Sequence, residues 1–414
     1  MSFSDLKIWS DRDISFKLSW YLGVANNKFP AKYLIARRIP VIIDLNQPTE
    51  KLWEVHSNAT NEFLKLKEEI QYKNKNLLET SIPPISLMDL NVELVKRMLK
   101  HCNFCRWDCK VDRSSSGNKT GTCQLGPISK ISTYFHHKGE ELIFRGLHGS
   151  GTIFFTSCNM RCCFCQNGDI STDKENGVAT TPNELALMSW ILRVEGCHNI
   201  NFVGGDPTIH LHTIIEAISL FKHFTPSESQ LHNIIRNKSD KFIKYTTRKQ
   251  YGDYMGEFNV PILWNSNFFM SVETMRILRT VVDVWLPDFK FGKIKKCSQV
   301  LSRTPWYFET ITNNHLLIDQ WGEDYSIRHL IMPNHIECCT KPILTWIKMN
   351  IPDALVNIMD QYHPDNYTDP KSLFYNDRFE PINRRLSKSE LESAYNYAKE
   401  LEIKFELITF ERYL

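Results

Sequence analysis

The chain is predicted to adopt an α/β fold in which a parallel barrel or part-barrel follows an N-terminal extension. Two observations lead to this prediction. From about residue 140 onward, short apolar runs with strand character alternate with helical patterns, as is typical of parallel α/β folds. A loop with closely spaced cysteines follows the first strand of this series, where barrels place their functional groups. Six strand–helix units fit the chain better than eight.

The sequence divides into four parts. An aromatic-rich extension covers 1–90, a four-cysteine metal-binding segment covers 91–139, the barrel covers 140–400 and a C-terminal tail covers 401–414. The boundary near residue 90 follows a polar stretch and two adjacent prolines, which together indicate a linker.

Within the extension, the run at 41–43 predicts a short buried strand, and apolar residues between 52 and 70 form an approximate helical stripe. Residues 91–101 predict a helix with its apolar side chains on one face. This helix leads directly into the first group of cysteines.

The barrel strands alternate with helices whose ends are marked in the sequence. Capping boxes at 181–184 and 387–390 predict two helix starts, and Gly196 predicts the end of the first of these helices. A lysine-rich stretch at 225–250 interrupts the alternation and is interpreted as a surface insertion. The six strands are predicted at 152–156, 199–203, 260–264, 281–286, 326–331 and 355–359.

Composition favours a protein of a reducing compartment. The N-terminus lacks the basic and apolar regions of a signal peptide, and no apolar run reaches the roughly 18 residues of a transmembrane helix. Twelve cysteines at short spacings indicate metal ligation rather than disulfides. We therefore expect a cytoplasmic protein that is not associated with a membrane. The net charge of +3, without a basic stripe, does not point to nucleic acid.

The most informative motif is a loop in which Cys158, Cys162 and Cys165 are spaced C-x3-C-x2-C. Three thiolates at this spacing can occupy three corners of a four-iron cluster and leave one iron without a protein ligand. A zinc loop or chance clustering is the plainer interpretation, but zinc sites usually have four ligands and complete iron–sulfur sites use four thiolates. Cys163 is an extra cysteine, and its side chain is expected to point away from the cluster.

The second motif, Gly204-Gly205-Asp206-Pro207, ends the second barrel strand. Two glycines at a strand end allow the backbone to come close to a ligand, although such turns are common in loops of many functions. Its position one strand–helix unit after the cysteine loop is what makes it informative.

Five segments, in the same order, resemble the radical SAM superfamily, in the branch related to the pyruvate formate-lyase activating enzyme. The resemblance extends over about 96–400. It implies a (β/α)6 partial barrel of the radical SAM type and reductive cleavage of S-adenosylmethionine (SAM) to methionine and a 5′-deoxyadenosyl radical. The segments are 149–158, 205–208, 263–267, 282–290 and 327–333.

The resemblance also implies which residues contact the cofactors. Asp206 stands where the superfamily has a glutamate, in the segment that receives the ammonium group of SAM. By position, Asn265 or Asn267 would contact the ribose and Arg328 the SAM carboxylate. The implied residues are Cys158, Cys162 and Cys165 for the [4Fe–4S] cluster, and Gly204, Gly205, Asp206, Pro207, Asn265, Asn267 and Arg328 for SAM.

A second cysteine group, formed by Cys102, Cys105, Cys109 and Cys123, lies ahead of the barrel. Four thiolates at these spacings can close a tetrahedron around zinc or iron. Four protein ligands leave no open position on the metal, which favours a structural role. An electron-relay cluster or a single rubredoxin-like iron is the alternative.

Two further sets of residues have plainer interpretations. Asp288 and Lys290 are either site residues or an ion pair at a strand end. Cys297, Cys338 and Cys339 lie outside any ligand spacing and are expected to be buried thiols.

We expect a radical SAM enzyme that removes hydrogen from a protein or peptide substrate and receives electrons from a donor such as ferredoxin or flavodoxin. The alternative in the same superfamily is a cobalamin-dependent C-methyltransferase acting on a protein residue, for example in methyl-coenzyme M reductase. In that case the extension would cover a corrin, bound without a histidine because no Asp-x-His-x-x-Gly loop is present. A redox or metal-binding module without catalysis is the alternative outside enzymes.

Overall fold

The computed structural model describes residues 8–117, 119–221 and 249–410, so the predicted insertion at 225–250 lies almost entirely outside the described residues. The strands are β1 (Ser129–His137), β2 (Ser150–Phe155), β3 (Val178–Thr180), β4 (Ile200–Gly204), β5 (Asp253–Tyr254), β6 (Glu257–Phe258), β7 (Ile262–Ser266), β8 (Val284–Pro287), β9 (Ser326–Leu330) and β10 (Leu355–Met359).

The α-helices are α1 (Arg12–Lys17), α2 (Ser19–Ala25), α3 (Lys32–Ala36), α4 (Thr49–Lys73), α5 (Leu87–Lys100), α6 (Leu142–Arg145), α7 (Gly168–Ser171), α8 (Pro182–Val194), α9 (Leu211–Leu220), α10 (Val272–Arg279), α11 (Lys295–Ser302), α12 (Tyr307–Gln320), α13 (Lys341–Asn350), α14 (Lys388–Glu400) and α15 (Glu406–Thr409). A π-helix, Ile336–Thr340, leads into α13. None of these helices is long and apolar enough to cross a membrane.

Six parallel strands form a part-barrel, as the sequence predicts. The main sheet has the order β3-β1-β2-β4-β7-β8, in which β2, β4, β7 and β8 are parallel. The parallel pair β9 and β10 is joined to β8 by bridges from Trp285 to Tyr325 and from Asp288 to Arg328. The sheet is mixed because β1 and β3 are added antiparallel at the β2 edge, an addition that the sequence did not predict.

The predicted barrel strands are all present, with shifts of up to three residues at their ends. β7 starts later than predicted, after Pro261, which has no N–H to donate to a neighbouring strand. The capping boxes predicted at 181–184 and 387–390 are confirmed, since both side-chain-to-backbone hydrogen bonds are formed at the starts of α8 and α14.

The strand predicted at 41–43 is wrong. Only Pro40 makes a β-bridge, to Ser86, and the next residues run as a loop. Ile42 is 95% exposed. An apolar run this short does not specify a strand when no neighbouring strand continues the pairing.

The extension packs against the amino ends of the barrel strands. Asp283, directly before β8, accepts hydrogen bonds from the Trp20 indole (2.9 Å) and the Lys32 backbone (3.0 Å). Asp324, shortly before β9, accepts one from the Tyr21 backbone (2.8 Å). The cysteine loop follows the carboxyl end of β2, at the opposite end of the barrel. The location of the extension therefore gives no reason to expect that it covers a corrin at the barrel mouth.

Apolar side chains of the extension and the barrel are buried together in shared clusters. Trp20, Tyr33 and Phe63 of the extension are buried in the same cluster as Phe202 and Trp264 of the sheet. Since burial of large aromatic side chains dominates core energetics, the extension is held by the same apolar core as the strands.

Replacing Asp283 should destabilise the whole protein. Asp283→Ala leaves buried N–H groups of Trp20, Lys32 and Ile262 without their acceptor, at an expected cost of about 3 kcal/mol in the free energy of unfolding. Urea denaturation measures this cost. The exposed Asp13→Ala variant, which removes a surface ion pair with Lys404, is the control and should change stability by less than about 1 kcal/mol. A loss below about 1 kcal/mol for Asp283→Ala would contradict the assigned role.

The pH dependence of this contribution is also predicted. Burial raises the pKa of Asp283 to about 6, although its hydrogen bonds oppose part of the increase. A raised folded-state pKa gives stability that is complete below the unfolded pKa of about 4 and is lost as the pH rises through about 6. Compared with Asp283→Asn, which does not titrate, the protein should lose stability over this range and level off above it. A constant difference would contradict the prediction.

Candidate active site at the carboxyl end of the barrel

A cavity of about 370 Å³ opens at the carboxyl ends of the parallel strands. It is lined by the cysteine loop and by the ends of β4, β7, β8 and β9. Pro207 is buried and starts a turn next to the cavity lining rather than within it. Of the residues that the resemblance places around the cofactors, the lining contains Cys158, Cys162, Cys165, Gly204, Gly205, Asp206, Asn265, Asn267 and Arg328.

Cys158 is buried, Cys162 and Cys165 are partly buried, and hydrogen-bond donors lie near two of the three thiols. Asn267 Nδ2 donates to Cys158 Sγ (3.4 Å), and Ser171 Oγ donates to Cys165 Sγ (3.2 Å). Burial raises the pKa of Cys158, Cys162 and Cys165. Metal coordination would favour the thiolate form of these side chains, because it deprotonates a thiol.

The three thiols are not gathered as closely as the ligands of a single ion. A tetrahedral zinc holds its sulfur ligands about 3.8 Å apart. The sulfur atoms of Cys158, Cys162 and Cys165 do not all lie within 4.8 Å of one another. Among the described residues, a group of ligand atoms this close together is found in another part of the chain. A four-iron cluster binds each thiolate through a different iron, so it does not require its sulfur ligands to lie this close together. Cys163 is buried and is not part of the cavity lining.

Gly204 and Gly205 allow the ends of β2 and β4 to meet. Gly204 has a φ of 120°, where only glycine is comfortable, and a Cβ there would overlap the Phe155 backbone. A Cβ on Gly205 would overlap the Ser157 carbonyl oxygen. A larger residue at either position would push the cysteine loop away from β4.

Asp206 holds the loop that follows β7. Its carboxylate accepts hydrogen bonds from the backbone N–H groups of Asn267 and Thr208, both at 2.9 Å. Burial raises the pKa of Asp206 to about 6, and these hydrogen bonds oppose the increase. The Asp206 carboxylate is thus already hydrogen-bonded to the protein's own backbone. Gly204 and Gly205, which have no side chains, line the cavity with backbone.

Arg328 lies in a network of acidic and amide groups. Its Nη2 donates to Asn265 Oδ1 (2.7 Å), and its Nε lies 3.3 Å from Asp288 Oδ1. Its Nη1 lies 3.7 Å from Glu140 and 3.9 Å from Glu141. Burial alone would lower the pKa of Arg328, but the three carboxylates raise it. The guanidinium therefore stays charged in the cavity.

Asp288 and Lys290 form the ion pair that the plainer interpretation predicts, and both also line the cavity. Although burial opposes ionisation, Lys290 and Arg328 hold the pKa of Asp288 below its usual value. The Lys290 ammonium also opposes the increase in the Cys162 pKa that burial causes. The pair thus brings a positive charge close to the cysteine loop.

Some contacts of the site were not evident from the sequence. Asn265 or Asn267 was expected near the ribose of SAM, and the structure shows that the Asn267 amide donates to Cys158. Ser171 reaches Cys165 from the helix after the cysteine loop. The fold creates both contacts without a characteristic spacing. Glu140, which also lines the cavity, is not marked in the sequence because no motif surrounds it.

The four-cysteine segment contains a buried arginine. Arg113 Nη1 donates to Cys102 Sγ (3.6 Å), and against the effect of burial its pKa is raised by the thiols of Cys123, Cys102 and Cys105. A buried cation requires a counter-charge, so a metal–thiolate centre fits this environment. The sulfur atoms of Cys102, Cys105, Cys109 and Cys123 lie farther apart than the ligands of a single ion. No three of these described thiols lie within 4.8 Å of one another.

Hydrogen bonds join the four-cysteine segment to the cysteine loop of the barrel. Ser157 Oγ donates to the Cys123 carbonyl (2.6 Å), and Trp107 Nε1 donates to the Asn159 carbonyl (2.7 Å). The two groups of cysteines are therefore held in neighbouring, mutually supporting loops.

Cys297, Cys338 and Cys339 were expected to be buried thiols, and this holds for Cys339, whereas Cys297 and Cys338 are only partly buried. Together with His335, the three cysteines bring their ligand atoms within 4.8 Å of one another. Sequence spacing does not reveal this group because its members follow two different strands.

Comparison with known proteins agrees with the geometry. Residues 152–257 match the family model described as the Radical SAM superfamily. The chain is 37% identical over 389 residues to the uncharacterized protein MJ0674 of Methanocaldococcus jannaschii, and this alignment covers 92% of the chain and 97% of that protein.

Solved structures show a more distant likeness. SuiB of Streptococcus suis bound to its precursor peptide SuiA has 12% identity and a TM-score of 0.36, over 60% of this chain and 46% of SuiB, so the chain spans about half of that protein. A domain of the pyruvate-formate lyase-activating enzyme of Bacteroides vulgatus has 15% identity and a TM-score of 0.28, over 44% of this chain and 94% of that domain. By its family match and its nearly full-length relative, the chain belongs to the radical SAM superfamily.

Proposed function

We propose that this protein is a radical SAM enzyme that acts on a protein or peptide. It would hold a [4Fe–4S] cluster through Cys158, Cys162 and Cys165 and bind SAM in the adjoining cavity. The observation that carries this proposal is that the three thiols and the backbone of Gly204 and Gly205 line one cavity. When bound, a cluster with three protein ligands has one iron available for SAM and supplies the electron that cleaves SAM to methionine and a 5′-deoxyadenosyl radical.

The protein's contribution to this chemistry begins at the sulfur atoms. Asn267 and Ser171 donate hydrogen bonds to Cys158 and Cys165, which stabilises the deprotonated thiols that metal binding requires. Hydrogen bonds to sulfur also tune the reduction potential of iron–sulfur clusters. We therefore assign Asn267 to the cluster ligand rather than to the ribose.

The part of the cavity next to the cysteine loop is proposed to bind SAM. Gly204 and Gly205 present backbone without side chains, which suits the ammonium group of SAM. Arg328 supplies a cation for the carboxylate, and Asp288 keeps the guanidinium oriented at 3.3 Å. Asn265, which is hydrogen-bonded to Arg328, is left as the ribose contact.

An aromatic rim supports a polypeptide substrate. Phe154 lines the cavity and stacks on Phe135, with 5.7 Å between ring centroids. Phe135 remains 39% exposed, and exposed aromatic rings are enriched where proteins bind one another. We propose that a loop or chain end of a partner protein enters here and that a ferredoxin or flavodoxin supplies the electrons.

The cobalamin-dependent methyltransferase has less support. It was suggested by the extension, which docks at the amino end of the barrel through Asp283 and Asp324. Analysis of the SAM products separates the two reactions. Hydrogen abstraction gives 5′-deoxyadenosine and methionine alone, whereas methylation also gives S-adenosylhomocysteine and a substrate that has gained one methyl group.

Alanine in place of Cys158, Cys162 or Cys165 should abolish cluster assembly and SAM cleavage, because each residue supplies one of only three protein ligands. Anaerobic reconstitution followed by iron and sulfide analysis measures the cluster, and chromatography of 5′-deoxyadenosine measures cleavage. Cys163→Ala is the matched control and should retain most of both. If Cys163 is required and Cys162 is dispensable, the proposed ligand set is wrong.

The two asparagines should respond differently to substitution. Asn267→Ala removes a hydrogen bond to Cys158 and should lower the reduction potential of the cluster by about 40 mV, equivalent to about 1 kcal/mol. Asn265→Ala should leave the potential unchanged and raise the KM for SAM by up to about tenfold. Redox titration and steady-state kinetics measure these changes. An unchanged potential and a raised KM in Asn267→Ala would instead assign that residue to SAM.

We also propose that Cys102, Cys105, Cys109 and Cys123 bind zinc or iron as a structural centre. In a protein that already lacks the three barrel cysteines, replacing Cys105 and Cys109 with alanine should remove this metal. The yield of folded protein should fall, because structural sites contribute folding free energy and Arg113 would lose its counter-charge. Zinc and iron analysis before and after the double substitution measures the effect. An unchanged metal content would contradict the proposal.

A further inference from the structure

A second set of soft ligands joins the connections that follow β8 and β9. Cys297 lies on α11, His335 directly precedes the π-helix, and Cys338 and Cys339 lie within it. Their four ligand atoms all lie within 4.8 Å of one another. Cys339 is buried, and the other three side chains are partly buried.

The distances in this group match a single tetrahedral ion. The sulfur atoms of Cys338 and Cys339 are 3.8 Å apart, and His335 Nδ1 lies 3.1 Å from Cys338 Sγ and 3.7 Å from Cys339 Sγ. Zinc at its usual bond lengths gives a sulfur–sulfur edge of about 3.8 Å and a sulfur–nitrogen edge of about 3.5 Å. We propose that Cys297, His335, Cys338 and Cys339 bind one zinc ion.

The local fold explains why these residues converge. His335, Cys338 and Cys339 are spaced three and four residues apart, which places their side chains on one helical face. Gly292, in the loop before α11, lies so close to the π-helix that a Cβ there would overlap the Cys338 carbonyl oxygen. This close approach brings Cys297 up to the other three ligands. Insertions of π-helical turns are frequent at functional sites.

Bound zinc would act as a structural clamp near the cavity. Three thiolates and one imidazole are ligands that zinc prefers, and four of them leave no open position for chemistry. The loop between β8 and α11 carries Asp288 and Lys290, which line the cavity. A clamp between this loop and the π-helix would restrain both residues. Zinc binding here does not depend on the proposed radical chemistry.

The test is the zinc content of the purified full-length protein. The protein and the Cys297→Ala, Cys338→Ala and Cys197→Ala variants are produced with zinc in the medium, and zinc per chain is measured. We expect Cys297→Ala and Cys338→Ala each to lose one equivalent. Cys197→Ala, which removes a buried cysteine outside all three groups, should lose none. Because Cys297 and Cys338 are both only partly buried, either variant provides the result if the other does not fold.

Cobalt substitution tests the ligand set. Cobalt in the wild-type protein should give ligand-field bands of a tetrahedral thiolate site, and the part lost in Cys297→Ala reports this group. His335→Ala should keep the thiolate-to-cobalt absorption and shift the ligand-field bands. Equal zinc content in all variants would overturn the proposal. A second result would also overturn the proposal. It is a disulfide joining two of Cys297, Cys338 and Cys339 in protein that was produced with zinc in the medium and purified without binding it, because this would identify a redox pair.

Discussion

The crowding of the ends of β2 and β4 is the constraint on which the rest of the site depends. Gly204 and Gly205 leave no space for a side chain between these strands, so the loop with Cys158 stays against the end of β4. Asp206 then holds the backbone of Asn267, and this brings the Asn267 amide to the Cys158 sulfur. One tightly packed strand end thus determines where the thiols, the exposed backbone and the hydrogen-bond donor to a thiol are placed.

The amino end of the barrel holds the extension, and the carboxyl end forms the cavity. At the amino end, buried hydrogen bonds to Asp283 and Asp324 hold the extension against the barrel. Apolar side chains of the extension are buried together with those of the strands. At the carboxyl end, an open cavity collects charges such as Arg328, whose partners are held in place by the ends of neighbouring strands. Buried charges and thiols at the carboxyl end cost folding free energy when no ligand is bound. The stability of the amino end allows the protein to keep them there.

Sequence patterns predict the barrel, and the residues expected to contact the cofactors lie in or beside one cavity, because strand periodicity is local and parallel strands carry their loops to one edge. These patterns fail where contacts join distant parts of the chain. The contact of Asn267 with Cys158 depends on the packing of β7 beside the cysteine loop, and the convergence of Cys297 with His335 depends on two connections meeting in space. The direction in which the extension docks has no local signal either, since it depends on Asp283 next to another strand.

Electron paramagnetic resonance of the reduced protein, recorded with and without SAM, tests the central claim most directly. If Cys158, Cys162 and Cys165 hold a [4Fe–4S] cluster and leave one iron open, SAM should change the spectrum of the reduced cluster. SAM labelled with nitrogen-15 in its amino group should then show a hyperfine coupling to the cluster. Identical spectra with and without SAM, in a protein with a full complement of iron, would contradict the account.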